Sequence, residues 1–381
     1  MNKKIGLFWL RDDFRVSKNN GLIEATLNHD QVVVFYLYKK LAYKYQEAQK
    51  WWLSKSLIHF RKNLNKLNIN LEIIETDSFK IFFEKLFKKN DFSFYWNKVY
   101  EPDFLKFDEY LVRNFENKSI SFKRCKGNTL NEINEIKKND GTPFKVFTPF
   151  WRTAEKYYIE KIPPKEKTLK KCLKNRNYFK DSFDPKEILP NKNWFKNFEN
   201  FWLPSEENAL KELSNFIKNK INNYTDSRNF PNIIGTSKLS PFIKFGQIHV
   251  ETIWNECEKI KPKNLGISKF LAEIGWREFN HTLINHFPHM LKNNYSKKFD
   301  QFPWEKNSKF LTAWKKGLTG YPIVDAGMRE LYSTGWMHNR VRMIVGSFLV
   351  KHLLINWKEG ENNFWNWLLD YSPASNVAGW R

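Results

Sequence analysis

The chain changes its apolar period once, and that change limits its fold more than any single residue does. IGLFWL (5–10), VVVFYLY (32–38), LEIIET (71–76) and SFYWNKVY (93–100) are short runs rich in β-branched and aromatic residues. They are too short for helices and read as buried strands. Between the second and third, EAQKWWLSKSLIHFRKNLNKLN (47–68) sets Trp51, Leu57, Phe60, Leu64 and Leu67 near helical spacing. Strands alternating with helices predict an α/β domain with a parallel, Rossmann-like sheet over residues 1–130. Past residue 205 the strand signals stop. Helical periodicity then predicts helices at 206–221, 240–257, 267–286, 321–333 and 336–355, so 205–381 reads as an all-α domain. Residues 131–204 read as a long linker, with charge runs such as KIPPKEK and one aromatic island, GTPFKVFTPFWR (141–152).

No GxGxxG or GxxxxGK[ST] follows the first strand, so a cofactor is expected outside that domain. The balance of 64 Lys and Arg against 41 Asp and Glu, a net charge of +23, favours a polyanionic partner, and nucleic acid is the first candidate. The 16 Trp and 34 Phe suit base stacking or a large planar ligand, beyond those a core needs. Cys125, Cys172 and Cys257 stand far apart without a CxxC pair, which argues against a zinc site or a disulfide framework and for a reducing, cytoplasmic setting. Charges interrupt the apolar N-terminal run at once, and no 18-residue apolar span occurs; neither a signal peptide nor a membrane anchor is expected.

Three stretches carry possible chemistry. In TGWMHNRVRM (334–343), a helix would bring Trp336, Asn339, Arg340 and Met343 onto one stripe. Neither a core face nor a solvated face selects that mixture. GTSKLSPF (235–242) has Ser240 as a candidate N-cap with Pro241 after it, which serves either as plain capping or as an anion site. LAEIGWREF (271–279) sets Glu273 one turn from Trp276 and four residues before Arg277, the spacing of an intrahelical salt bridge or of a polar, aromatic face. Both helices facing one cavity would suit a flat guest with polar edges and some negative charge.

The run TGYPIVDAGMRELYSTGWMHNRVRMIVGSFLVKHLLINWKEG (319–360) resembles the DNA photolyase/cryptochrome family. So do WLRDDFRVSKNNGL (9–22), KVFTPFW (145–151), GTSKLS and WREF, in order along the whole chain. MHNRVRM is similar to the bacterial cyclobutane pyrimidine dimer photolyases and unlike the His-containing version of the (6-4) enzymes. The resemblance implies FAD held within the helical domain, with Tyr224, Thr236, Ser237, Lys238, Leu239 and Ser240 on its pyrophosphate side. Phe270, often Trp in the family, would border the flavin. Asp370 and Arg342 would pair near its ring, with Ser372 nearby, where many relatives have Asp. Asn376 would sit beside N5; plant cryptochromes typically have Asp there and animal ones Cys.

The same resemblance assigns Glu273, Trp276, Asn339, Arg340 and Met343 to a pocket for an extruded pyrimidine dimer. Arg228, Arg277 and Arg340 would meet DNA. Trp304, Trp357 and Trp380 match electron-relay tryptophans that re-reduce oxidised flavin under light. Glu101, in YEPDF (100–104), falls where relatives hold an antenna chromophore; 5,10-methenyltetrahydrofolate is expected, with deazaflavin the alternative. The expected activity is light-driven repair of pyrimidine dimers by a monomeric lyase, and the rival is a cryptochrome-like photoreceptor without repair. Arg381 stands where Gln is usual, and relatives continue for several helices beyond it, so part of the cavity wall is expected outside this sequence.

Overall fold

The computed structural model describes residues 5–39, 46–88, 92–117, 119–161, 167–174, 176–190 and 193–380. Most of KIPPKEK, and Arg381, lie outside the described residues. Strands β1 (Ile5–Leu10), β2 (Val32–Tyr38), β3 (Asn70–Glu75), β4 (Phe92–Asn97) and β5 (Ile120–Cys125) form one parallel sheet in the order β3-β2-β1-β4-β5. Helices α1 (Asn20–Asn28), α2 (Glu47–Asn65), α3 (Phe79–Phe87) and α4 (Pro102–Phe115) connect these strands. The Rossmann-like expectation holds, with one strand more than expected. Only Ile120 of β5 is fully buried, and Lys123 and Arg124 are exposed, so an edge strand of this kind carries almost no apolar signal.

The rest is helical: α5 (Phe147–Glu160), α6 (Glu206–Asn219), α7 (Tyr224–Ser227), α8 (Ser240–Lys244), α9 (Val250–Glu258), α10 (Leu265–His286), α11 (Ser308–Lys316), α12 (Pro322–Thr334), α13 (Asn339–Ser347), α14 (Trp357–Trp367) and α15 (Pro373–Trp380). The aromatic island of the linker is therefore the start of a helix, α5, packed on α10. Gly275 permits that approach: a Cβ there would stand 2.2 Å from the Trp151 ring.

Two expected helices change shape. The stretch 240–257 breaks into α8 and α9 at Gly246, whose φ is +60° and whose missing Cβ would lie 2.0 Å from Asp12 O. The stretch 336–355 starts only at Asn339, where the His338 ring accepts from Arg340 N, and it loosens into a π-turn at Phe348–His352.

One face of the sheet buries Trp9, Phe35 and Phe94 beneath α3 and α4, with Phe83 of α3 packed among them. The core on the other face continues into the helical part. Trp52 of α2 meets Phe242 at 5.0 Å and Trp202 at 5.6 Å between ring centroids. The segment 9–22 clasps the two parts: Arg15 donates to Gly246 O at 2.8 Å, and Glu206 accepts from Val16 N and Ser17 N. The helical part is thus joined to the α/β part by buried side chains.

Candidate functional site

A cavity of about 1330 Å³ opens among α7, α8, α10, α12, α13 and α15. That exceeds the roughly 300–1,000 Å³ of an ordinary small-ligand pocket, leaving room for more than one guest. Every residue assigned above to flavin, lesion, DNA or antenna contact lines it, as does Trp380. Trp304 and Trp357 do not.

The inner end is organised by one carboxylate. Arg342 donates to both oxygens of Asp370, at 3.0 and 2.9 Å, and to Met337 O at 2.8 Å. Ser240 donates its hydroxyl to Asp370 at 2.6 Å. Ser240 is therefore not the cap expected of it: it is the first residue of α8, the N-cap position falls on Leu239, and the Ser240 hydroxyl is directed at Asp370. Asn376 Nδ2, which lines the cavity, is buried without a protein partner. A buried donor in that state requires a ligand or water. This end fits a flavin dinucleotide: polar edges have donors to meet, and Phe270, Tyr224 and Trp336 supply apolar walls.

The outer end is aromatic and basic. Trp276 is 43 % exposed, and Phe147 stacks on it at 3.8 Å with the rings 9° from parallel. Phe147 is thus the rear support of that wall, a role visible only once α5 is seen to pack on α10. Glu273 does not pair with Arg277, four residues on. Its partner is Arg228, which also lies over the Tyr224 ring at 5.3 Å. Burial and the Glu273 charge push the Tyr224 hydroxyl up to about 12, so it remains a donor. Arg340 donates twice to Asn229 Oδ1, at 3.0 and 2.7 Å, and approaches Met343 Sδ at 3.6 Å. Asn339, Arg340 and Met343 do share the α13 face, while Trp336 reaches the cavity from the turn before it.

Arg277 is turned inward, donating to Asn128 O at 2.6 Å. Asn128 also bonds Ile243 O, Ile248 O and Val250 N, tying α8, α9 and α10 to one loop. The next residue on α10, Glu278, accepts from Leu130 N and Asn131 N. Burial pushes its carboxyl up to about 7, despite those amides and Arg277. The folded state therefore holds this proton more tightly than the unfolded chain does. Its contribution is complete below pH 4.5 and is lost as pH rises to about 7. Thermal midpoints measured across that window should fall for the parent and much less for Glu278→Gln; identical slopes would remove Glu278 as the source.

The three tryptophans expected to relay electrons lie near α14, Trp380 at the cavity and the other two outside it. Trp380 packs over Gly360, where a Cβ would stand 2.4 Å from its ring. Trp357 opens α14 and donates to Asn294 Oδ1 at 2.8 Å. Glu305 N bonds Leu354 O at 2.8 Å, bringing the Trp304 segment to the entry of that helix.

Residues 6–167 match the family described as DNA photolyase, and residues 270–381 match the FAD binding domain of DNA photolyase. Deoxyribodipyrimidine photo-lyase of Agrobacterium fabrum is 36 % identical over 98 % of this chain and 79 % of its own length. The chain belongs to the DNA photolyase/cryptochrome family. It is a flavoprotein of that family, built on the photo-lyase enzyme framework. A class III photolyase from Agrobacterium tumefaciens has the same fold, with a TM-score of 0.92 and 35 % identity over the whole of this chain and 79 % of that one. Cryptochrome-2 of Arabidopsis thaliana is also similar, 30 % identical across this chain and 65 % of its own length. Among the described residues, no helix is long and apolar enough to cross a membrane.

Proposed function

We propose that this photolyase-family protein repairs cyclobutane pyrimidine dimers in DNA under light. The observation carrying the proposal is that Glu273, Trp276, Asn339, Arg340 and Met343 share one cavity with Arg342, Asp370 and Asn376. Bound FAD, in its reduced form, would supply on illumination the electron that opens the cyclobutane ring and would take it back once the two pyrimidines part, so the protein needs no acid, base or nucleophile of its own. Trp276, backed by Phe147, offers a flat wall to the extruded dimer. Met343 closes the apolar side, and Glu273 and Asn339 meet the carbonyl and imide edges. Extrusion costs a few kcal/mol and is cheapest at a poorly paired lesion, which supplies part of the selectivity. Arg228 and Arg340 border the outer end and favour phosphate, so affinity should fall with salt, whereas Arg277, expected to meet DNA, is turned inward onto Asn128 O. Asn376 Nδ2 is a buried donor that would meet flavin N5.

Glu101, paired with Lys244 at 3.6 Å, borders the same cavity. We assign it to an antenna, 5,10-methenyltetrahydrofolate in preference to deazaflavin, because a carboxylate matches the amino and imino edge of a pterin. The residues assigned to flavin and lesion contact all lie on one chain, which suits a monomer. The three free thiols suit a reducing, cytoplasmic setting.

The second reading, a photoreceptor without repair, is favoured by the similarity to Cryptochrome-2. Illumination of the FAD-loaded, reduced protein with an oligonucleotide holding a thymine dimer separates the two. Restored thymines support repair; flavin photochemistry with the dimer intact supports the photoreceptor. Trp304→Phe should block photoreduction of oxidised flavin yet spare repair by chemically reduced protein. Loss of both activities would remove Trp304 from the relay.

A further inference from the structure

The Asp370 turn is held from outside the helical domain. Gln49, on α2 beneath the sheet, is wholly buried. Its Nε2 donates to Leu369 O at 3.1 Å and to Tyr371 O at 2.9 Å, the two carbonyls that flank Asp370. Both neighbours are acceptors, so the orientation of the amide is settled by chemistry: only the nitrogen can face them. On the opposite side, Leu369 N donates to Gly335 O at 2.8 Å. The turn is therefore clamped between α2 and the C-terminal end of α12, and its one charged side chain is directed at Arg342 and Ser240.

We propose that Gln49 is a positioning residue for the flavin site, through which the α/β domain sets the Asp370 carboxylate. A residue 320 positions from Leu369 in sequence thereby governs the charge beside the flavin without touching it. An interdomain staple alone would not need to bracket Asp370. A second interdomain bond, Trp52 Nε1 to Gln247 Oε1 at 3.0 Å, ties α2 to the turn after α8 without addressing that carboxylate. It provides the comparison.

The inference rests on the reading of Asp370 as a flavin-side group. Gln49→Leu keeps the bulk and removes both donors, and Gln247→Leu removes the comparison bond. FAD affinity, the absorption bands of bound flavin and the thermal midpoint of the FAD-free protein are measured for both. Gln49→Leu should weaken FAD binding about tenfold, the loss expected from two hydrogen bonds behind a charged group. It should also move the flavin bands. Gln247→Leu should lower the midpoint by a similar amount while leaving the bands in place. Unshifted bands in Gln49→Leu, or equal shifts in both variants, would overturn the positioning role. A parent protein that takes up no FAD, or an Asp370→Asn variant with unchanged bands, would instead overturn the flavin reading beneath it.

Discussion

Asp370→Ala should yield a protein that retains little flavin and melts well below the parent. The side chains of Arg342 and Asp370 are 19 % and 5 % exposed, so removing one partner strands a largely desolvated guanidinium. Breaking a buried pair in this way costs about 3–5 kcal/mol. Ser240 loses its acceptor in the same step. The loss divides between the fold, read by the thermal midpoint, and the cofactor, read by bound flavin per protein. Asp370→Asn should lose less on both counts, since an amide oxygen still accepts from Ser240 or Arg342. An alanine variant with parental flavin content would show that Asp370 serves the fold alone.

Glu273→Ala should act on the lesion and not on the flavin. Hydrogen bonds to a charged group contribute about 1.5–3 kcal/mol, so preference for dimer-containing over undamaged DNA should fall roughly tenfold to a hundredfold. Arg228 is released by the same change, because Glu273 is its partner in the structure. Affinity for undamaged DNA should therefore hold or rise, a direction that simple misfolding does not produce. Competition binding with matched duplexes checks both halves. A parallel loss of bound flavin would show Glu273 to be structural.

Much of this architecture was legible in the residues themselves. IGLFWL and VVVFYLY have the bounds of β1 and β2, because strands buried on both faces write an unbroken apolar run. β5 was not legible, since an edge strand facing solvent needs few apolar residues. Helical period likewise passes over Gly246, whose break is imposed by the approach of Asp12 from another domain. The site divides in the same way. Asn339, Arg340 and Met343 were readable as a group because they share one helix face. The partners of Glu273 and Trp276 were not, since Arg228 and Phe147 come from other elements. Gln49 was hidden for the same reason: nothing near it in sequence marks it as a neighbour of Asp370.

Repair requires flavin and extruded dimer to occupy one cavity within electron-transfer reach. The fluorescence lifetime of the bound, reduced flavin tests that most directly, before any chemistry is scored. Dimer-containing DNA should shorten the lifetime, and undamaged DNA of the same sequence, bound to the same extent, should not. Equal lifetimes with both DNAs at saturation would contradict the shared cavity.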